Sequence, residues 1–216
     1  MMRPTFPIHT TDSDGNDNVG SAFLAAINGR DYLVTAAHVP TGEQPKSDWS
    51  TWPDTLKVHV DAGYYEVDLF SSDGMRTPKF GYLKGSGVNL ADALWMPVDT
   101  FGEAGYALLS QHQIHVLEAS IGVPPGTPLQ VYGFPNIETT WPPPIQVADG
   151  TVIGIRGGAM IEADIVTVKG FSGGPALRTD NGQFLGLHIG HHPQITDPGQ
   201  IVPSPVLHFM ISQMPM

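Results

Sequence analysis

The apolar residues of this chain fall in short runs broken by glycine, proline and acidic turns, and several runs alternate with polar residues. Residues 20–27 (Gly-Ser-Ala-Phe-Leu-Ala-Ala-Ile) and 30–38 (Arg-Asp-Tyr-Leu-Val-Thr-Ala-Ala-His) flank Asn28-Gly29. Asn-Gly between apolar runs predicts a two-residue hairpin, because both turn positions require positive φ. Residues 56–60 and 65–69 alternate with a period of two on either side of a turn at 61–63, the pattern of half-buried strands. On that pattern His59 points outward. A further strand is predicted over 93–98, with Asp92 at its start. Asp149-Gly150 predicts a turn between apolar runs at 145–147 and 151–153. Ser204-Pro205, a serine N-cap with proline at the first helical position, opens a short helix. Its stripe at helical spacing is expected at Val206, Phe209, Met210 and Gln213 or Met214. The polar stretch 10–18, the stretch 41–53 and Pro142-Pro143-Pro144 read as loops.

Composition agrees with many short strands. Glycine (25) and proline (20) together exceed a fifth of the 216 residues, which favours tight turns over long helices. With 41% hydrophobic and 14% charged residues the chain is globular. A net charge of −11 argues against nucleic-acid and anionic-membrane partners. There is no cysteine, so disulfides, a Cys-ligated zinc site and a cysteine nucleophile are excluded. No apolar run approaches membrane-span length, and residues 1–7 lack the h-region of a signal peptide. The expectation is a cytoplasmic protein, with secretion the alternative if a leader precedes these residues.

The chemistry centres on Gly170-Phe171-Ser172-Gly173-Gly174-Pro175. A hydroxyl that attacks a carbonyl needs a base for its proton and backbone N–H groups for the oxyanion that forms. Glycines on both sides let the backbone curl so that such N–H groups converge. His38, at the end of the predicted hairpin among small residues, is the candidate base. Its far ring nitrogen needs an acceptor, and Asp54, Asp61, Asp68, Asp73, Asp92 and Asp99 all lie between His38 and Ser172.

Gly-Ser-Ala-Phe-Leu, a turn, and Tyr-Leu-Val-Thr-Ala-Ala-His resemble the catalytic-histidine segment of the chymotrypsin/trypsin-like serine peptidases. Gly-Phe-Ser-Gly-Gly-Pro resembles their nucleophile loop, and the two motifs stand in the family order. The likeness is to the bacterial trypsin-like and HtrA-type protease domain without a PDZ module, and it spans nearly the whole chain. It implies an all-β fold of two antiparallel six-stranded Greek-key β-barrels (chymotrypsin-like) with a short C-terminal α-helix. The implied organisation is an N-terminal segment over 1–18, an N-terminal barrel over 19–105, a linker over 106–126, a C-terminal barrel over 127–203, and a helix and tail over 204–216.

The resemblance assigns Ser172 as nucleophile, His38 as base and Asp92 as the orienting acid, with Asp99 and Asp73 as alternatives. Asp92 precedes a short apolar strand as the family aspartate does, although Leu94 replaces the alanine usual two residues later. Gly170 and Ser172 would supply the oxyanion-hole N–H groups. Phe171 departs from the aspartate by which zymogen-activated trypsins switch on. Thr167 and His188 look like the S1 residues of glutamyl endopeptidases and 3C-type peptidases, which cleave after Glu or Gln. Ile189, Gly190 and His191 would pair with an extended substrate. His188 and His191 should lie on opposite faces with no third ligand apparent, so neither a metal nor a cofactor is expected. The implied partner is a polypeptide substrate; the sequence leaves the oligomeric state open. Two other readings use the same frame: a non-catalytic peptide-binding module, and an esterase or other acyl-transfer enzyme.

Overall fold

The computed structural model describes residues 2–11, 15, 17–41, 49–61, 63–83, 92–135, 144–190 and 198–213. The N-terminal lobe holds strands β1 (Phe6–Thr11), β2 (Asp17–Ile27), β3 (Arg30–Thr35), β4 (Thr55–Val60), β5 (Gly63–Asp68), β6 (Gly81–Leu83), β7 (Ala93–Pro97) and β8 (Ile114–Val116). They form an eight-stranded sheet in the order β5-β4-β1-β2-β3-β7-β6, with β8 added to β2 in parallel. Helices α1 (His38–Thr41) and α2 (Glu103–Gln111) belong to the same lobe. The C-terminal lobe is a closed barrel of β9 (Pro128–Gly133), β10 (Gln146–Arg156), β11 (Met160–Ile165), β12 (Pro175–Arg178), β13 (Phe184–Gly190) and β14 (Gly199–Pro203), in the order β10-β11-β14-β13-β12-β9. Helix α3 (Ser204–Gln213) follows.

The hairpin β2–β3 forms as the Asn-Gly pair predicts, with φ of 52° at Asn28 and 78° at Gly29. Its two faces bury into different cores. Leu24 and Leu33 join Phe6, Ile8, Leu56 and Met96 inside the N-terminal lobe. Phe23, Ala25 and Val34, with Trp95, pack against Leu187, Val202, Leu207 and Met210 of the other lobe. That shared cluster joins the lobes. Each fully buried large side chain in it contributes about 1.5–3 kcal/mol relative to exposure.

Five sequence expectations are revised. The stretch 1–18 is not a separate segment: β1 lies in it and pairs with both β2 and β4, burying Phe6 and Ile8. Asp149-Gly150 does not turn. β10 runs straight through it, and a side chain at 150 would meet Asp164 O at 2.7 Å, so this glycine permits close strand approach. The reversal occurs instead near Gly157 and Gly158, at φ of 59° and 71°. The segment 106–126 is more than a linker, since most of α2 and all of β8 fall in it or at its edge. Gly105, on α2 just before this segment, is a packing residue whose added Cβ would stand 2.5 Å from Val98 O. His59 is buried at 4% exposure against the Tyr64 ring. On α3 the buried stripe is Leu207, Met210 and Ile211, while Phe209 is exposed. The Ser204 hydroxyl accepts the Glu118 N–H at 2.9 Å. Pro142-Pro143 and Met214 lie outside the described residues.

Candidate active site

His38 opens α1 immediately after the small residues Ala36 and Ala37, both fully buried. Asp92 stands just before β7, which pairs with β3, so the sheet delivers the acid beside the histidine. The two residues join at two points. The His38 backbone N–H donates to Asp92 Oδ1 at 3.0 Å, and His38 Nδ1 hydrogen-bonds Asp92 Oδ2. The Ala37 N–H adds a bond to Asp92 O at 3.3 Å. A carboxylate accepting from Nδ1 fixes the neutral ring as the tautomer whose Nε2 carries the lone pair.

The other aspartates are engaged elsewhere. Asp99 forms a two-pronged pair with Arg30 at 3.0 Å. Asp73 accepts from Ser71 Oγ and the Met75 N–H in its own turn. Asp54, Asp61 and Asp68 pair with Arg76, Arg3 and Lys79.

The Ser172 loop is two consecutive tight turns. The Phe171 N–H donates to Val168 O at 3.2 Å, and the Gly174 N–H donates to Phe171 O at 3.0 Å. Gly170 and Gly173 occupy the third positions at φ of 102° and 91°, the type II requirement. Neither tolerates a side chain. A Cβ at 170 would lie 2.1 Å from Phe134 O, and one at 173 would lie 1.9 Å from Ser21 O.

Both lobes hold this loop. From the N-terminal lobe, the Ser21 N–H donates to Ser172 O at 2.9 Å. The Ser21 hydroxyl donates to Gly170 O at 2.7 Å and accepts the Phe134 N–H at 3.2 Å. Thr35 Oγ1 donates to Ser21 O at 2.8 Å, steadying the clamp. From the C-terminal lobe, the Gly173 N–H donates to His188 O at 2.8 Å and the His188 N–H to Gly174 O at 2.9 Å. Phe171 is buried in the barrel core, its backbone and ring against Gly133. The residue after His38 also packs close to this loop. A Cβ at Gly20 would touch both Val39, the residue after His38, at 2.7 Å and Ser172 O at 2.9 Å.

Thr167 and His188 come together as the sequence suggested. Thr167 Oγ1 lies 3.0 Å from His188 Nε2, with exposures of 5% and 0%. The pair is therefore closed to solvent in this state. Ile189 and Gly190 are half-buried at the end of β13, where the pairing with β14 shifts register. Gly190 has φ of 94°, and a Cβ there would stand 3.1 Å from Ser172 Oγ, so this strand end passes directly beside the hydroxyl. His191 and His192 lie outside the described residues. Ser21 and Thr35 went unassigned in the sequence. Both faces of β2 are buried around Ser21, so alternation alone does not single it out.

The charge pattern around the site is uneven. Among the described residues, Arg3, Arg30, Lys57, Arg76, Lys79, Arg156 and Arg178 each pair with an acid. Lys169, exposed and next to Gly170, is the described cation outside such pairs. Away from the site, burial pushes the imidazoles of His112 and His115 below their ordinary range. Burial, with the charges of His9 and Lys57 adding, pushes His59 down to about 4.

No protein-family model matches the chain, and no curated protein sequence matches it. Solved structures do. A serine endoprotease from Yersinia pestis matches at 14% identity and a TM-score of 0.63, over 98% of this chain and 63% of that one. A protease from M. tuberculosis in its active form matches at 16% and 0.65, over 98% of this chain and 81% of that one. An HtrA-type protease, an AlgW variant with tripeptide, matches at 18% and 0.61, over 98% of this chain and 60% of that one. The chain thus spans less than two thirds of the Yersinia and AlgW chains. At these identities the likeness is one of fold, and the fold is chymotrypsin-like.

Proposed function

We propose that this chain is a serine endopeptidase acting through Ser172, His38 and Asp92. The observation that carries the reading is the double attachment of His38 to Asp92, beside a serine loop held from both lobes. The proton follows a short route. Ser172 Oγ attacks the scissile carbonyl as its proton passes to His38 Nε2, and the imidazolium that forms is stabilised by Asp92. The tetrahedral oxyanion meets the Gly170 and Ser172 N–H groups, each such donor being worth about 3–4 kcal/mol of transition-state stabilisation. His38 then protonates the leaving amine, the acyl-enzyme forms, and water reverses the sequence. The end of β13 at Ile189 and Gly190 receives the substrate backbone as an added strand.

Thr167 and His188 set a preference for Glu or Gln at the residue before the cleaved bond. In the free protein the hydroxyl and the imidazole satisfy each other at 3.0 Å. A substrate carboxylate or amide entering over Thr167 accepts from both, a pairing that an apolar side chain cannot make.

Active-site labelling by a fluorophosphonate, with cleavage profiling on proteome-derived peptides, tests the reading. Labelling and cleavage should both vanish in Ser172→Ala. Labelling that survives this substitution refutes Ser172 as nucleophile, and labelling without peptide cleavage favours an esterase. Binding of peptides with neither labelling nor cleavage favours a non-catalytic module. Enrichment of Arg, Lys or small aliphatic residues before the cut would overturn the assignment of Thr167 and His188.

A further inference from the structure

We propose that the outer face of the β10–β11 hairpin is a docking surface for a basic, amphipathic helix of another protein. The inference concerns the outside of the C-terminal barrel and does not depend on the peptidase reading. Alternation assembles the face. Along β10, Val147, Asp149, Thr151 and Ile153 are exposed, while Gly150 is half-buried and Val152 is buried. On the neighbouring run, Asp164, Val166 and Val168 are exposed, while Ile165 and Thr167 are buried. Antiparallel pairing sets Thr151 against Asp164 and Gly150 against Ile165. Carried past the end of β11, the same register sets Asp149 against Val166 and Val147 against Val168. Four aliphatic side chains, exposed by 45% at Val147, 52% at Ile153, 83% at Val166 and 58% at Val168, thus share one patch with two carboxylates. Single exposed apolar residues are ordinary, whereas a contiguous patch rimmed by polar groups marks an interaction site.

Two features choose the occupant. The first is that the barrel is closed and β10 pairs with both β9 and β11. No strand can be added there, so a partner must lie across the face and engage it through side chains. The second is charge. Among the described residues, Asp149 and Asp164 form no ion pair, and Arg156, the cation of the hairpin, is bound to Glu162 at 3.3 Å. Lys169 lies beyond Val168, out of phase with the exposed row. Asp149 is held in place by neutral groups. The Tyr132 hydroxyl donates to Gln130 Oε1 at 3.0 Å, and Gln130 Nε2 donates to Asp149 Oδ1 at 2.9 Å. Asp149 and Asp164 are diagonal neighbours, about 7–8 Å apart on an antiparallel pair. Two lysines one helical turn apart, with Cβ atoms about 5–6 Å from each other, match that spacing through their long stems. A second copy of this chain does not, since it would bring carboxylates onto carboxylates at a net charge of −11 each.

The probe is a synthetic peptide of about 18 residues, long enough to form a helix, with leucine on one face and lysine on the other. Two comparison peptides replace every lysine by glutamate, or every leucine by glutamine. Each is titrated into the isotope-labelled full chain, and amide shifts report where it binds and how tightly. The Leu/Lys peptide should shift the amides of β10 and of residues 164–168, and the comparison peptides should not. Asp149→Asn with Asp164→Asn should weaken it about three- to tenfold at low salt, within the range of two exposed ion pairs, and the difference should fade at high salt. Val147→Ser with Ile153→Ser should weaken it at both salt concentrations, because apolar burial is not screened. All four side chains lie on the surface, and an unchanged amide spectrum away from the patch verifies that each variant is folded. Shifts confined to another surface, no binding at millimolar peptide, or equal binding by both double variants overturns the proposal. Sedimentation of the free protein covers the other occupant. A dimer abolished by Val147→Ser with Ile153→Ser would give the face to a second copy and overturn the proposal equally.

Discussion

Replacing Ser21 by alanine removes one buried oxygen and, with it, the side-chain link between the N-terminal lobe and the nucleophile loop. That oxygen donates to Gly170 O at 2.7 Å and accepts the Phe134 N–H at 3.2 Å. In the variant, Gly170 O keeps only the longer bond from the Phe134 N–H, at 3.4 Å. Leaving a buried backbone group unsatisfied costs about 1–3 kcal/mol. Because that residual bond partly compensates both groups, a total of about 2–3 kcal/mol is expected. For a chain of this size each kcal/mol shifts Tm by about 2–4 °C, so the loss is about 4–12 °C. The catalytic effect follows from geometry. Gly170 O belongs to the peptide next to a proposed oxyanion donor, and loosening it misaligns that donor without deleting it. Complete loss of a donor costs about 10²–10³ in kcat, so misalignment should cost about tenfold, with KM changing less. Urea unfolding followed by tryptophan fluorescence, and steady-state kinetics on one cleaved peptide, measure the two effects. A midpoint and m-value equal to wild type would refute the clamp. A destabilised variant with full kcat would show that Ser21 joins the lobes without aligning the loop.

Two further outcomes follow from the site and its surroundings. Asp92→Asn should lower kcat by about 10⁴, because an amide nitrogen facing Nδ1 favours the wrong imidazole tautomer; steady-state rates near pH 7 check this, and a loss under tenfold would point to another acid. His59 is neutral when folded, its pKa lowered to about 4 from 6.5, so the unfolded chain takes up its proton first as pH falls. Its contribution is complete above about pH 6.5 and is lost between there and about pH 4, to the extent of about 3 kcal/mol. His112 and His115, lowered by burial, act in the same direction. Urea midpoints between pH 7 and 4.5 should fall steeply in the wild type and less steeply in His59→Gln.

What the sequence conveyed depended on whether the signal was local. The β2–β3 hairpin and the tight turns of the glycine-flanked serine are written in adjacent residues, while Thr167 and His188, 21 positions apart, come together as the resemblance implied. Among the aspartates, Asp92 was singled out by the short apolar strand it precedes, and the β3–β7 pairing puts it beside His38 while Asp99 pairs with Arg30. Glycine misled where its reason was close approach rather than turning, at Gly150. His59 misled because alternation along β4 places it on the second face of the sheet, and the sequence does not show that Tyr64 covers that face. The role of Ser21 was unreadable for a similar reason, its partner Gly170 lying 149 positions away.

The burial of Phe171 against Gly133 has a consequence for how this site answers to its solvent. Apolar packing is not screened by ions and is strengthened by kosmotropic salts, whereas a loop held by an ion pair loosens as ionic strength rises. The serine loop should therefore keep its shape in brine. A rise in ionic strength that loosens the surface ion pairs of this protein should leave the hydroxyl next to Phe171 in place.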